Sequence, residues 1–409
     1  MPGWTRAAAA LVAPSAEYAR LVWPLSMVQL VSWGTLYYGF AIFLTPMEAE
    51  LGWARAELTG AVTLGMVVAG AASLPAGRLI DRGHGRLVMT AGSVLGGAML
   101  FAWSRVTDVA AFYAIWFGIG LAMAGTLYEP AFAVLIRALA DLAQRAVAAM
   151  TLVGGFASTV FIPICHLLIE HLGWRDALAV MGALNVVLGG VIHFAVLRDP
   201  TVRERVPGGS DASTAQILRA VFRKPAFWFL LAAVTGGFFS VAAVVFHIVP
   251  LMAERGFDTA TAVAAIALIG PAQVAGRIMV VIVVPRLALP VSGMVAFGLP
   301  LLAMVLLRLG PAEWWVVATF AIALGAGNGI ATIVRATSVA RIVEAGAYGV
   351  VNGAINLPVS VARAFAPSVA SVLWAAGGGY GPVLWILVGV SAVAVTCFLL
   401  GMRASAPTP

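Results

Sequence analysis

Residues 46–53, PMEAELGW, and residues 250–257, PLMAERGF, are two copies of one pattern. A proline, a glutamate, a glycine and an aromatic residue keep the same spacing in both copies, which lie 204 residues apart, the difference between 46 and 250. The same offset pairs further residues: Arg82 with Arg286, Gly125 with Gly329, Arg137 with Arg341, Phe161 with Phe365 and Pro163 with Pro367. One ungapped offset over nearly half of the chain predicts two related halves in the same orientation.

The chain between these landmarks is strongly apolar. Of its 409 residues 62% are hydrophobic and only 10% are charged, whereas soluble domains carry about 25% charged residues. This composition excludes a cytosolic enzyme, a nucleic-acid-binding protein and a secreted disulfide scaffold. A membrane-spanning helix needs about 20 apolar residues, and the apolar stretches predict twelve such helices: 22–47, 57–80, 86–104, 109–136, 146–169, 176–197, 226–253, 260–284, 287–307, 312–338, 349–376 and 381–402.

The longest polar segment, residues 198–224, lies near the middle of the chain and contains Pro, Gly and Ser. We interpret it as a cytoplasmic linker. The predicted fold is therefore an all-α membrane protein, with one six-helix bundle in residues 1–197, the first half, and another in residues 225–409, the second half. Parallel repeats of this kind place a substrate site between the halves, near the middle of the membrane.

The basic residues predict the topology, because Lys and Arg concentrate in cytoplasmic loops. With the N-terminus inside, sixteen fall on the cytoplasmic side: Arg6, Arg20, Arg78, Arg82, Arg86, Arg137, Arg145, Arg198, Arg203, Arg205, Arg219, Arg223, Lys224, Arg286, Arg341 and Arg403. Five fall outside: Arg55, Arg105, Arg175, Arg255 and Arg308. We therefore expect both termini in the cytoplasm and a location in a bacterial-type inner membrane. The net charge of +7 suits contact with anionic lipid headgroups rather than with nucleic acid.

The segment GRLIDRGHGR, residues 77–86, follows the second predicted helix. Gly77 allows a neighbouring helix to approach closely. Asp81 can accept hydrogen bonds from a helix N-terminus and neutralise a nearby arginine such as Arg137. These properties suit a charged contact that holds the cytoplasmic side closed, although basic residues that only set the topology would give a similar pattern.

This segment resembles the loop 2–3 motif of the major facilitator superfamily. Gly77, Asp81, Arg82 and Arg86 match the motif, whereas His84 stands where the family usually has a second glycine. The resemblance covers the whole chain and implies a secondary transporter that works by alternating access. It also implies a cytoplasmic gate, which we define as the following residues: Gly77, Asp81, Arg82, Arg86 and Arg137.

Three arginines remain for the membrane interior. Arg277 ends the segment GPAQVAGR, and its position is similar to that of the anion-binding arginine of monocarboxylate transporters and oxalate–formate antiporters. Arg363 corresponds in the same way to a second cationic residue of the oxalate–formate antiporters. A charge at the bilayer centre costs at least about 2.5–3.5 kcal/mol, and the second half has no intramembrane acid to offset it. We therefore favour an anionic substrate, the alternative being that each arginine pairs with a carbonyl or a buried acid. Arg335 lies nearer the cytoplasmic end and is expected to extend to the interface.

Glu129 is the intramembrane acid, and the following Pro130 should bend its helix. Burial makes a carboxyl group a natural proton carrier, so we expect Glu129 to couple transport to protons. The alternative is a structural ion pair with an arginine across the cavity. The residues expected to complete the substrate site are Tyr37, Tyr38, Tyr128 and Asn356. Of the histidines, His166 and His193 are expected to be packed against helix carbonyls.

No motif predicts a cofactor or a metal. Cys165 and Cys397 lack metal-ligand spacing, and no segment matches the phosphate-binding loop of ATP-driven proteins. We predict a monomeric secondary transporter of a small organic anion, with protons and membrane lipid as its other partners, and not an enzyme. The alternative is proton-driven efflux of hydrophobic or drug-like compounds, because Glu129 and the aromatic residues suit a cation.

Overall fold

The computed structural model of the protein describes residues 16–139, 142–197, 213–283, 288–343 and 345–405. Within these ranges the regular structure is entirely helical, as the composition predicts. Most of the predicted linker and Arg286 lie outside the described residues.

The helices of the first half are α1 (Ala16–Trp33), α2 (Phe40–Leu51), α3 (Arg55–Leu79), α4 (Gly85–Trp103), α5 (Val109–Thr126), α6 (Tyr128–Ala138), α7 (Ala143–Gly154), α8 (Ala157–Leu184) and α9 (Val191–Val196). Short π-helical segments connect some of them: Gly34–Tyr38 before α2, Ile80–His84 before α4 and Asn185–Gly190 before α9. The remaining helices are α10 (Thr214–Phe222), α11 (Pro225–Glu254), α12 (Thr259–Val283), α13 (Leu289–Leu309), α14 (Trp314–Ile342), α15 (Tyr348–Gly377) and α16 (Tyr380–Ala404).

The described residues contain nine helical stretches that are long and apolar enough to cross a membrane. Two of them, Ala56–Trp103 with 48 residues and Ala143–Val196 with 54 residues, are long enough for two crossings each. They reverse direction at Gly83 (φ 86°) and Gly173 (φ 78°), a backbone conformation that glycine adopts without strain. With the shorter apolar segment Ala267–Val280 in α12, these stretches account for the twelve predicted helices.

The internal repeat is visible in side-chain contacts as well as in the sequence. Near the end of α2, Glu50 accepts a hydrogen bond from the indole N–H of Trp174. Near the end of α11, Glu254 accepts one from the indole N–H of Trp374 at 3.2 Å. A glycine with a positive φ follows each of these helices. The conserved spacing of the two copies thus corresponds to the same local structure in each half.

The two halves meet along α3 and α15, which pack with their backbones in contact. A Cβ added to Gly77 would lie 2.0 Å from the carbonyl oxygen of Gly349, and one added to Gly353 would lie 2.6 Å from the Cα of Leu74. Small residues allow membrane helices to pack this closely. Further contacts join α7 to α12 and α14, and α6 to α15.

The described end of the predicted linker, residues 213–224, contains a helix rather than an irregular segment. Ser213 caps α10, since its hydroxyl accepts from the backbone N–H of Gln216 at 3.2 Å while the Gln216 side chain accepts from the Ser213 N–H. The helix packs against α15. The sequence Ser-Thr-Ala-Gln contains this capping pattern, in which the first and fourth residues bond reciprocally.

The two histidines that were expected to be packed have different environments. His193 is fully buried, with Nδ1 3.0 Å from the carbonyl oxygen of Met89, as expected. The prediction for His166 is wrong, because this side chain is exposed. It lies on α8 beside the exposed Leu167, where the helix faces the surroundings rather than the bundle.

Candidate functional site

An ion pair joins the two halves in the interior. A guanidinium nitrogen of Arg335, on α14, lies 2.8 Å from a carboxylate oxygen of Glu129, on α6, and the side chains are 7% and 20% exposed. Arg335 also donates a hydrogen bond to the Asn356 side chain at 3.3 Å. The prediction that Arg335 extends to the membrane surface is therefore wrong. Its side chain is buried, and its partner Glu129 belongs to the other half. Asn356, expected to face substrate, contacts Arg335.

Arg277 is the most deeply buried cation of the proposed substrate site. Its side chain, on α12, is 4% exposed, and its Nε and Nη1 have no hydrogen-bond partner among the described residues. The guanidinium lies against Gly155, where an added Cβ would come within 1.9 Å of Nη1. The hydroxyl groups of Tyr38 and Tyr128 are within electrostatic range of this charge. A buried cation with unused donors is expensive unless an anion joins it.

Arg363 provides a second cation in the same region. The side chain is half-buried on α15, and its guanidinium carbon lies 5.5 Å from the centre of the Phe238 ring. The hydroxyl of Tyr38 is within electrostatic range of Arg363 as well as of Arg277. Pro367 follows four residues later and has no backbone N–H, so the carbonyl of residue 363 loses its helical partner. Tyr38 therefore experiences the positive charge of both arginines, and its contact with substrate stays a prediction.

Aromatic rings line the first-half side of this region. The ring of Trp33 lies 5.3 Å from that of Tyr37, 6.1 Å from Tyr38 and 5.0 Å from Tyr128, centre to centre. The ring of Phe132 stacks on Tyr128 at 5.2 Å. The π-helical segment Gly34–Tyr38 carries both neighbouring tyrosines, and such wide turns often occur at functional sites.

Trp33 was not among the predicted site residues. Its indole N–H is buried and has no hydrogen-bond partner among the described residues. It precedes Tyr37 by four residues, which places the two side chains on one face of a helix. That spacing is the signal by which Trp33 could have been found.

The proposed gate residue Asp81 connects the halves at one end of the molecule, which we call the Asp81 end. Its carboxylate is fully buried and accepts backbone hydrogen bonds from Gly349 at 2.9 Å and Val350 at 2.8 Å, in the first turn of α15. The N-terminus of a helix carries a partial positive charge that favours such an anion. Arg137 donates a hydrogen bond to the backbone carbonyl of Asp81, and Gly77 lies against Gly349.

Two other proposed gate residues point elsewhere. Arg82 is exposed on the turn between α3 and α4. Arg86 donates from Nε to the carbonyl oxygen of Phe194 at 3.0 Å and lies 3.7 Å above the Phe194 ring. Both contacts of Arg86 stay within the first half. Of the five gate residues, Gly77 and Asp81 therefore contact α15 directly, and Arg137 contacts Asp81.

At the opposite end, which we call the Glu50 end, two polar contacts of the described residues each stay within one half. Arg175 forms an ion pair with Glu50 at 2.8 Å. In the second half, the His247 ring lies 2.8 Å from the hydroxyl of Tyr380 and 2.9 Å from the carbonyl oxygen of Pro367. The hydrogen bonds of Asp81, by contrast, hold the two halves together at the Asp81 end.

In the part of the chain that the structure describes, no group of three or more His, Cys, Asp or Glu side chains is arranged to hold a metal ion. The side chains around the interior charges, which we call the central region, are Trp33, Tyr37, Tyr38, Tyr128, Glu129, Arg277, Arg335, Asn356 and Arg363. Side chains of these types are able to bind and orient a ligand.

Comparison with known proteins gives a family and a fold. A profile of the Major Facilitator Superfamily matches residues 23–291. No curated protein sequence matches the chain. The crystal structure of the human organic anion transporter MFSD10 (TETRAN) superposes with a TM-score of 0.68 at 16% identity, covering 97% of this chain and 100% of that one.

Two structures of the fucose transporter FucP are similar to the same degree. A variant of the E. coli Fucose:proton symporter gives a TM-score of 0.70 at 14% identity and covers 96% of this chain and 98% of that one. FucP in the outward conformation gives a TM-score of 0.68 at 14% identity and covers 95% of this chain and 100% of that one. At these identities the likeness concerns the fold.

Proposed function

The chain belongs to the Major Facilitator Superfamily of membrane transporters, and we propose that it carries a small, monocarboxylate-like organic anion by alternating access, coupled to protons. Membership of the family establishes the fold. The proposed substrate class depends on the charges of the central region. One of the structures that share this fold is an organic anion transporter.

The buried guanidinium of Arg277 is the observation that carries the proposal. Two of its nitrogens lack a protein acceptor among the described residues, although a charge at the bilayer centre costs at least about 2.5–3.5 kcal/mol. A carboxylate that enters from the Glu50 end supplies both the acceptors and the opposite charge. The planar fork of an arginine matches a carboxylate, and such pairs frequently form two parallel hydrogen bonds.

The remaining groups define the shape and size of the anion. Tyr38 lies in the field of both Arg277 and Arg363, so its hydroxyl can donate to a carboxylate held between them. The rings of Trp33 and Tyr128 provide an apolar surface for the carbon skeleton of the substrate. A small organic acid fits these groups: one charged end between arginines and an uncharged body on the aromatic rings.

Proton coupling follows from the pair of Glu129 and Arg335. The pair connects the halves, so it must break when the halves separate at the Asp81 end. Separating two ionised side chains in a medium of low dielectric constant is unfavourable. A proton on Glu129 removes one of the charges and makes the separation easier. Arg335, once released, can also bind the substrate anion.

We further propose that the Asp81 end faces the cytoplasm of a bacterial-type cell, that both termini lie there, and that the protein acts as a monomer. The excess of basic residues at this end supports the orientation. The two six-helix bundles, residues 1–197 and 225–409, would then move against each other while the segment 198–224 connects them.

The alternative function, efflux of drug-like cations, finds less support in the geometry. A cation needs an available acid, and Glu129 already pairs with Arg335. The three interior arginines also outnumber this single acid.

Counterflow in proteoliposomes tests the proposal. The panel would contain labelled lactate, pyruvate, oxalate, an aromatic carboxylate and a lipophilic cation, each with the wild type, Arg277→Ala and Arg363→Ala. We expect carboxylate counterflow whose KM rises at least about tenfold in both variants, because a hydrogen bond to a charged group contributes about 1.5–3 kcal/mol.

Arg105→Ala is the matched control, because Arg105 is an exposed arginine outside the central region. It should transport like the wild type. Counterflow of the cation alone, or carboxylate counterflow unaffected by both central variants, would refute an arginine-based anion site.

A further inference from the structure

A cavity of about 660 Å³ lies on the outer side of the first half, beside the turn that carries Asp81. Residues from the Ile80–His84 turn, α4, α6 and α9 line it, and none of them belongs to the central site. Its basic lining residues are Arg82, Arg86, Arg137 and the imidazole of His84. The cavity is therefore separate from the proposed transport site.

The lining of this cavity carries three positive charges and no acidic residue. Arg82 is exposed. Arg86 uses Nε for the carbonyl of Phe194, and its two terminal nitrogens have no hydrogen bond to any residue that the structure describes. The nearby carboxylate of Asp81 faces the other way, toward the amides of α15. Three cations around one cavity repel each other, and an anion between them relieves that repulsion.

The other side of the cavity is apolar and faces outward. Leu87, Val94 and Phe194 line the cavity and are 64%, 44% and 52% exposed. On α9 the neighbouring Val191 is 60% exposed. Apolar side chains exposed on a membrane helix contact lipid, so the cavity is continuous with the lipid-facing surface. An occupant must satisfy arginines at one end and hydrocarbon at the other.

We propose that an anionic phospholipid binds here, with its phosphate between Arg82, Arg86 and Arg137 and its acyl chain along α4 and α9. Basic pockets between transmembrane helices suit such headgroups. A soluble phosphate matches only the charged end, and a zwitterionic lipid brings a positive group toward the arginines.

The position of the site gives the lipid a regulatory role. Arg137 lines the cavity and also donates to the backbone carbonyl of Asp81. A phosphate that holds Arg137 and Arg82 therefore stabilises the turn from which Asp81 reaches α15. The bound lipid favours the state in which the Asp81 end is closed.

Native mass spectrometry of the full-length protein tests the site, with phosphatidylglycerol and phosphatidylcholine of the same acyl chains as probes. We expect phosphatidylglycerol to be retained preferentially. Arg82→Ala, a change of an exposed side chain, should weaken its retention about fivefold, which corresponds to the roughly 1 kcal/mol that one arginine contributes near a lipid surface. Arg82→Ala with Arg86→Ala should weaken it further.

Arg105→Ala is the control with the same change of charge, and it should retain phosphatidylglycerol like the wild type. Melting in phosphatidylcholine alone establishes that each variant is folded. Equal retention by Arg82→Ala and Arg105→Ala overturns the proposal. Retention of glycerol phosphate equal to that of phosphatidylglycerol also overturns the proposal, because it would identify a site for soluble anions.

Discussion

Arg277 combines three properties that seldom occur together: a permanent charge, nearly complete burial and nitrogens that find no acceptor among the residues the structure describes. Its position depends on the absence of a side chain at Gly155, where α7 ends. The space that Gly155 leaves open is filled by one guanidinium nitrogen. A glycine is required here for a contact with a functional group rather than for an unusual backbone angle.

We predict that Gly155→Ala weakens substrate binding without changing the charge of the protein. The new methyl group would occupy the position of Arg277 Nη1, at 1.9 Å, and displace the guanidinium. We expect KM for the transported anion to rise at least about tenfold, as one charged hydrogen bond is lost, in proteoliposome uptake assays.

Gly270→Ala is the matched control, since it lies on the same helix as Arg277 and an added Cβ meets nothing within 4 Å. It should leave KM unchanged. If both alanine variants transported with wild-type KM, Arg277 would not hold the substrate in the position that the structure gives it.

The helices α3 and α15 form the closest contact between the halves, and alternating access requires that this contact change. It extends from the Asp81 end to Gly70, where an added Cβ would lie 2.8 Å from the Cβ of Ser360. Cysteines at these two positions would need only a small relaxation to reach the Cβ separation of a disulfide, about 3.5–4.5 Å.

We predict that Gly70→Cys with Ser360→Cys, in a background with Cys165 and Cys397 replaced by alanine, forms a disulfide that stops transport. Oxidation should reduce uptake at least about tenfold, and a reducing agent should restore it, because α3 and α15 can no longer move apart. The two single-cysteine variants are the controls and should transport equally with oxidant and with reductant. Full uptake by the cross-linked protein would mean that these helices stay together throughout the cycle.

The sequence predicts individual elements well and contacts between the halves poorly. Apolar stretches and the offset of 204 residues between residues 46 and 250 depend on local composition, and they predicted the twelve helices and their repeat. The partner of Arg335 lies 206 residues away in the chain, so nothing near Arg335 indicates it. Trp33 was missed although its partner Tyr37 is close in the chain, because an aromatic residue in an apolar helix is usually a packing residue.

At the scale of the whole molecule, we propose that Glu129 and Arg335 connect the movement of the halves to a proton. Both side chains are mostly buried, and their contact of 2.8 Å crosses the interface between the halves. The charge on Glu129 therefore determines how strongly the halves hold together near the centre. In this proposal the one contact is sufficient for coupling.

We predict that Glu129→Gln separates substrate exchange from proton-driven accumulation. Glutamine keeps the size and the hydrogen-bond acceptor but has no charge to gain or lose, so the halves move without a proton. Counterflow at equal pH should stay within about threefold of the wild type, whereas accumulation driven by an inward proton gradient should fall at least about tenfold, since uncoupled exchange cannot use the gradient. The control is Glu313→Gln, an exposed acid outside the ion pair, which should keep both activities. Accumulation that persists in Glu129→Gln would mean that the proton binds elsewhere and that the pair with Arg335 serves only to hold the two halves together.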